Sequence, residues 1–231
     1  MSTRTFRLLT ALLLLVAFSS IPLAAGPLPA AEVLPGVLPA GRELARQLDT
    51  LKVESRWLRG RHPVDWRTGR ATGPDRFERP RTRCSQFAAA ACMRLGVYLL
   101  RPPQHSPYLL ANAQFTWLHS EEGTMAGWEP LSSGLEAQAR ANQGWLVVAT
   151  YRNPDPARPG HIALVRPEIR TVQEVRAAGP AITQAGRENF RRTTLVRGFR
   201  NHPEAFENDE IRFFAHPMQG QEDGSTGGRR P

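Results

Sequence analysis

Residues 83–96 read Arg83-Cys84-Ser85-Gln86-Phe87-Ala88-Ala89-Ala90-Ala91-Cys92-Met93-Arg94-Leu95-Gly96. Phe87, Ala88, Ala91, Cys92 and Leu95 recur at three- and four-residue spacing, which predicts a helix with one buried face. Gly96 falls where a helix stop is expected. Counted back, Cys84 lies on the same face, in or just before the first turn. A thiol there feels unpaired backbone N–H groups and the positive end of the helix dipole. Both favour the thiolate, which is the nucleophile. The position equally suits a small buried residue, because free cysteine is among the most buried types. Cys92, mid-helix, reads as core. Eight positions apart in sequence, the two cysteines sit about 12 Å apart on one helix at a rise of about 1.5 Å per residue. A disulfide needs Cα atoms within roughly 7 Å, so none is expected.

The rest of the 231-residue chain suits one domain with tails. Arg4 and Arg7 precede the apolar run Leu8 to Phe18, and Ala24, Ala25 and Gly26 follow. This is the layout of a secretory signal peptide over residues 1–25. The run is short for a membrane span, and no longer one follows. The expected product is exported, to periplasm or exterior, and monomeric. Four prolines among Ala, Leu and Gly make 26–40 a linker, the domain occupies 41–217, and 218–231 is a disordered tail. The net charge of +9 is almost all arginine, Lys52 being the only lysine. A basic surface favours anionic partners, but the arginines are scattered without interleaved aromatics, which argues against nucleic acid.

Residues 41–58 read as an amphipathic helix and Gly60 to Arg83 as a long loop, the kind that forms a cleft wall. Ser106-Pro107 reads as a helix start, with Tyr108 to Leu118 following. Residues 119–134 read as loop, and Leu135 to Asn142 as a short helix. The period then changes: Trp145 to Tyr151 is a buried strand, followed by His161–Val165, 181–184 and 211–215, with a polar segment over 187–203. Helices first and an antiparallel meander after predict an α+β domain. The tryptophans Trp117, Trp128 and Trp145 read as core, with Trp128 also placed to line a groove. His62, His105, His119, His202 and His216 show no metal-ligand spacing, so neither a metal nor another cofactor is expected.

His161 opens its strand directly after Pro159-Gly160 and shares a face with Ala163 and Val165. If the Cys84 helix packs on that face, small Ala163 leaves room for the imidazole to meet the thiol. Such a pair lets histidine take the thiol proton and return it to a leaving group.

Cys84-Ser85-Gln86-Phe87-Ala88, with Gly96 beyond, resembles the nucleophile helix of the NlpC/P60 and CHAP peptidases. Pro159-Gly160-His161-Ile162-Ala163-Leu164-Val165 resembles their histidine strand. The resemblance covers roughly residues 83–190. It implies a papain-like fold of N-terminal helices on an antiparallel sheet, and a Cys-His hydrolase of amide bonds in peptidoglycan stem peptides or cross-bridges. Arg81-Thr82-Arg83 lacks the Asp or Asn usual before the cysteine. The third group must accept a hydrogen bond from the other imidazole nitrogen. Glu168 lies seven residues past His161, roughly 23 Å along a strand at about 3.3 Å per residue. If Arg166 faces Pro180, Gln184 returns opposite Ile162, where CHAP domains carry the orienting residue; Asn189 is the reserve. Gln184 could instead satisfy loop backbone at the strand end. The oxyanion donors would be the Cys84 N–H and one group of the preceding loop. Two other functions fit the same fold, a non-catalytic envelope-binding module and an acyltransferase.

Overall fold

The run Trp145 to Tyr151 has no polar face, and Leu146–Tyr151 folds as a strand buried from both sides. The computed structural model describes residues 32–218. The signal peptide read in 1–25 and the tail from Gln219 lie outside the described residues.

The elements are α1 (Pro39–Thr50), a single 3-10 turn (Val53–Ser55), α2 (Cys84–Arg94), α3 (Leu110–Leu118), α4 (Glu121–Met125), β1 (Glu129–Leu131), α5 (Gly134–Asn142), β2 (Leu146–Tyr151), β3 (His161–Val165), α6 (Val172–Ala178), β4 (Ala181–Gln184), β5 (Phe190–Thr194), α7 (Leu195–Gly198), α8 (Pro203–Glu207) and β6 (Arg212–His216). The strands form one open antiparallel sheet in the order β1-β6-β2-β3-β4-β5. The domain is α+β. No helix among the described residues is long and apolar enough to cross a membrane.

Alternation along β2 divides the core. Leu146 and Val148 pack with α2, while Val147, Ala149 and Tyr151 pack with Ala137 and Ala141 of α5 and with Phe199 and Ala205. Helices therefore cover both faces, because a strand apolar on both sides must be covered on both. Helix α2 departs from the expectation of a single buried face. Every residue from Cys84 to Cys92 is buried, so the helix has no wet face. The short side chains of Ala88 to Ala91 let the sheet approach from one side and α3 from another, and Phe87 packs edge-on to Trp57 at 5.2 Å.

The first helix stops at Thr50 because Lys52 is left-handed, φ 54°. Ser106-Pro107 forms a turn, Ser106 Oγ accepting the Tyr108 N–H at 3.0 Å, and α3 starts only at Leu110. Residues 32–38, read as linker, are bound to the body: Val33 bridges Thr171, and the Leu38 N–H donates to the Asn142 carbonyl at 2.9 Å. Met218, assigned to the tail, packs on the core. Helix α6 was legible in principle, since Thr171 and Glu174 form a capping box. Strands β1 and β5 carry exposed residues and lack the apolar signal of a strand. At the far end of β3, Arg166 grips Asp49 of α1 with two hydrogen bonds, 2.7 and 2.9 Å.

Candidate active site

Helix α2 begins on Arg83 without a side-chain cap, so its first N–H groups have no intrahelical partner. Those of Cys84 and Ser85 turn to the Cys84 sulfur, joined by the Thr82 hydroxyl and the N–H of Ile162. Strands β3 and β4 pair at Leu164 and Val165, opposite Thr183 and Ile182. At the other end of β3 His161 pairs with Tyr151 of β2, and the Ile162 N–H donates to the sulfur. The packing of this strand differs from the one expected. Ile162 and Leu164 share the α2 core, while Ala163 and Val165 face the other way, so Ala163 makes no room for the thiol. Cys84 is 5% exposed. Burial pushes its thiol above the ordinary value, and the four donors only partly oppose this. Desolvation outweighs the helix N-terminus, and the resting thiol is neutral.

His161 is held from behind by its loop. Asn112 Oδ1 accepts the N–H groups of Gly160 (2.8 Å) and Asn153 (3.2 Å), and its amide donates to the Arg158 carbonyl. A Cβ on Gly160 would meet the Tyr151 carbonyl at 2.1 Å and Asn112 Oδ1 at 2.6 Å. The imidazole is buried, edge-on to Phe199 at 4.6 Å.

Its Nε2 lies 2.8 Å from Gln184 Oε1. The other end of that amide donates to the carbonyls of Glu188 and Gly198, both at 3.3 Å, which settles the amide's polarity. The oxygen faces the ring, Nε2 carries the proton, and Nδ1 keeps its lone pair. Gln184 reaches the ring through a register one residue off the expected one. With Val165 opposite Ile182, Gln184 comes opposite Ala163, on the face that His161 occupies. Opposite Ile162 it would have pointed away. Burial pulls the imidazole below its usual range, and the Gln184 bond opposes this.

The structure separates the other carboxylate and amide from the ring. Glu168 pairs with Arg192 at 2.7 Å. Asn189 donates to the carbonyls of Val53 and Arg56 and accepts the Gly186 N–H, fastening a turn. Trp128 is core: it is buried, and its indole N–H donates to the Tyr98 carbonyl. His202 is a residue that sequence reasoning missed. Its ring lies nearly parallel to that of His161, centroids 6.0 Å apart, and it also meets Tyr151 and Glu204. No sequence signal marks it, since contact across the chain is the only relation.

Thr82, Pro159 and Arg187 line two adjoining hollows. One, about 280 Å³, holds His161 and His202; the other is a cleft of about 490 Å³ walled by residues of the 59–83 loop. Among the described residues no cluster of His, Cys, Asp and Glu could hold a metal. No protein-family profile and no curated protein matches this chain. The arrangement can do one kind of chemistry without outside help: a thiol, a base with a free nitrogen and an orienting amide suit acyl transfer to sulfur.

Proposed function

We propose that this chain is an exported cysteine hydrolase of papain-like architecture that cleaves amide bonds of peptidoglycan stem peptides or cross-bridges. The observation that carries the reading is the His161–Gln184 hydrogen bond, whose polarity leaves Nδ1 as an unprotonated base on the strand end where the Cys84 sulfur lies. The choice of peptidoglycan rests on the likeness of the Cys84 and His161 stretches to NlpC/P60 and CHAP peptidases, and export rests on residues 1–25.

In the reaction, His161 Nδ1 takes the thiol proton as sulfur bonds to the substrate carbonyl carbon. The imidazolium keeps its Nε2–H on Gln184, whose neutral amide orients the ring without adding charge. The N–H groups of Cys84 and Ser85, which turn to the sulfur at rest, pass to the oxyanion that develops on the carbon bonded to it. His161 returns the proton to the departing amine, and water then releases the acyl group from sulfur by the reverse course. Both reacting groups are buried and uncharged at rest, so the proton moves when substrate arrives.

Digestion of purified sacculi, with mass analysis of the released fragments, tests this. Cys84→Ala and His161→Ala should each abolish fragment release while the thermal melt persists. Release unchanged by Cys84→Ala would end the proposal.

A further inference from the structure

The larger cleft is lined by Arg59, Arg76, Arg81, Arg83 and Arg187, and by no aspartate or glutamate. The carboxylates of its wall loop, Asp65, Asp75 and Glu78, are all absent from the lining. Three of the guanidinium groups surround one ring: Arg81 lies 3.9 Å from the Phe77 centroid, Arg76 5.4 Å and Arg83 5.7 Å. An aromatic face offsets part of the repulsion among them, but it supplies no counter-charge. Arg83 shows the deficit best. It is 5% exposed, it donates to the carbonyls of His62 and Gly60, and its Nε has no partner at all. A buried guanidinium paired only with neutral carbonyls, one donor idle, is a costly arrangement that an anion would relieve.

We propose that this cleft is a carboxylate-binding subsite, which selects an acidic peptide and lays it beside Cys84. The assignment of the peptide's amide to Cys84 rests on the cysteine hydrolase reading; the anion site does not. Arg83 directly precedes Cys84, and Arg187 lines both the cleft and the hollow at His161, so bound carboxylates lie beside the residue before the thiol and beside the imidazole's hollow. The volume of about 490 Å³ is that of a pocket for a short peptide, within the usual range of about 300–1,000 Å³. Phe77, Tyr108 and Leu109 give the walls apolar surface for methylene and methyl groups. A nucleic acid would find the charge but not a groove with stacking faces along its length.

The test is calorimetric titration of the Cys84→Ala protein with tetraglutamate, tetraglutamine and inorganic tripolyphosphate. Tetraglutamate should bind at least about tenfold more tightly than tetraglutamine, and weaken with salt as charge-assisted contacts do. The exposed pair Arg76→Gln with Arg81→Gln, and separately Arg187→Gln, should each reduce tetraglutamate binding about tenfold or more, with Arg94→Gln as an unaffected control. Equal affinity for the two peptides, or loss of none of it in these variants, overturns the proposal. So does tight tripolyphosphate binding without tetraglutamate binding, which would assign the cleft to phosphate. Selective tetraglutamate binding without Cys84-dependent cleavage of any acidic amide would support the subsite and remove the hydrolase reading.

Discussion

Gly198 lies directly beneath Gln184: a Cβ at Gly198 would sit 2.6 Å from the amide oxygen and 2.4 Å from Ile182 Cδ1. Its carbonyl also accepts from the same amide's nitrogen. The residue that orients the imidazole is therefore itself positioned by the absence of a side chain fourteen residues later.

Gly198→Ala should displace the Gln184 oxygen from His161 without touching either reacting group. Loss of the oriented base is expected to lower kcat by about 10²-fold, the lower end of what a positioned general base contributes, with KM little changed. A steady-state comparison with Gln184→Ala checks this, because the two variants should lose similar amounts. Full activity in Gly198→Ala would show that the amide contact does not govern the ring.

Cys84 in the resting protein should alkylate slowly at neutral pH. Burial raises its thiol, so the rate with iodoacetamide should climb through and beyond the ordinary thiol range, about 8.5. A plateau already reached below pH 7 would contradict the neutral resting thiol.

The imidazoles predict the acid side. Burial lowers both His161 and His202, and the charge of His161 further lowers His202. A base whose folded value is depressed contributes stability above its unfolded value, about 6.5, and that contribution is lost as pH falls. The acid limb of kcat/KM should accordingly lie below about 6.5. An acid limb above about 6.5 in the unmodified protein would refute the assignment.

Cys92 predicts the alkaline side. Burial pushes its thiol to about 12, and an acid raised on folding stabilises below its unfolded value and loses that stability as pH rises. The difference amounts to on the order of 4 kcal/mol between about pH 9 and 12. Urea melts should show a steeper alkaline decline in the native protein than in Cys92→Ala. Equal slopes would count against it.

Asp49 and Arg166 fasten α1 to the sheet through a bidentate pair whose side chains are 30% and 11% exposed. Asp49→Ala leaves the mostly buried guanidinium without its carboxylate and should cost about 2–3 kcal/mol, somewhat below the loss for a fully buried pair. Replacing both residues together should restore part of that loss, which a thermal-melt cycle measures.

Cysteine at a helix start, histidine at a strand start and the succession of buried strands were legible in the chain, because each depends on periods of 3.6 or 2 and on local punctuation by glycine and proline. The same local rules misplaced what depends on the surroundings. They assigned α2 one buried face, although its alanines are enclosed on all sides. They favoured a thiolate at Cys84, although desolvation outweighs the dipole. They set Gln184 opposite Ile162, although a one-residue difference in pairing is what turns its amide toward the ring. His202, Gly198 and the arginines around Phe77 acquire their roles only across the folded chain. Sequence alone determined which side chains could react, since reactivity begins with residue type and its place on a helix or strand. The tertiary structure decided register, burial and which charges lack a partner, since these are sums over neighbours distant along the chain.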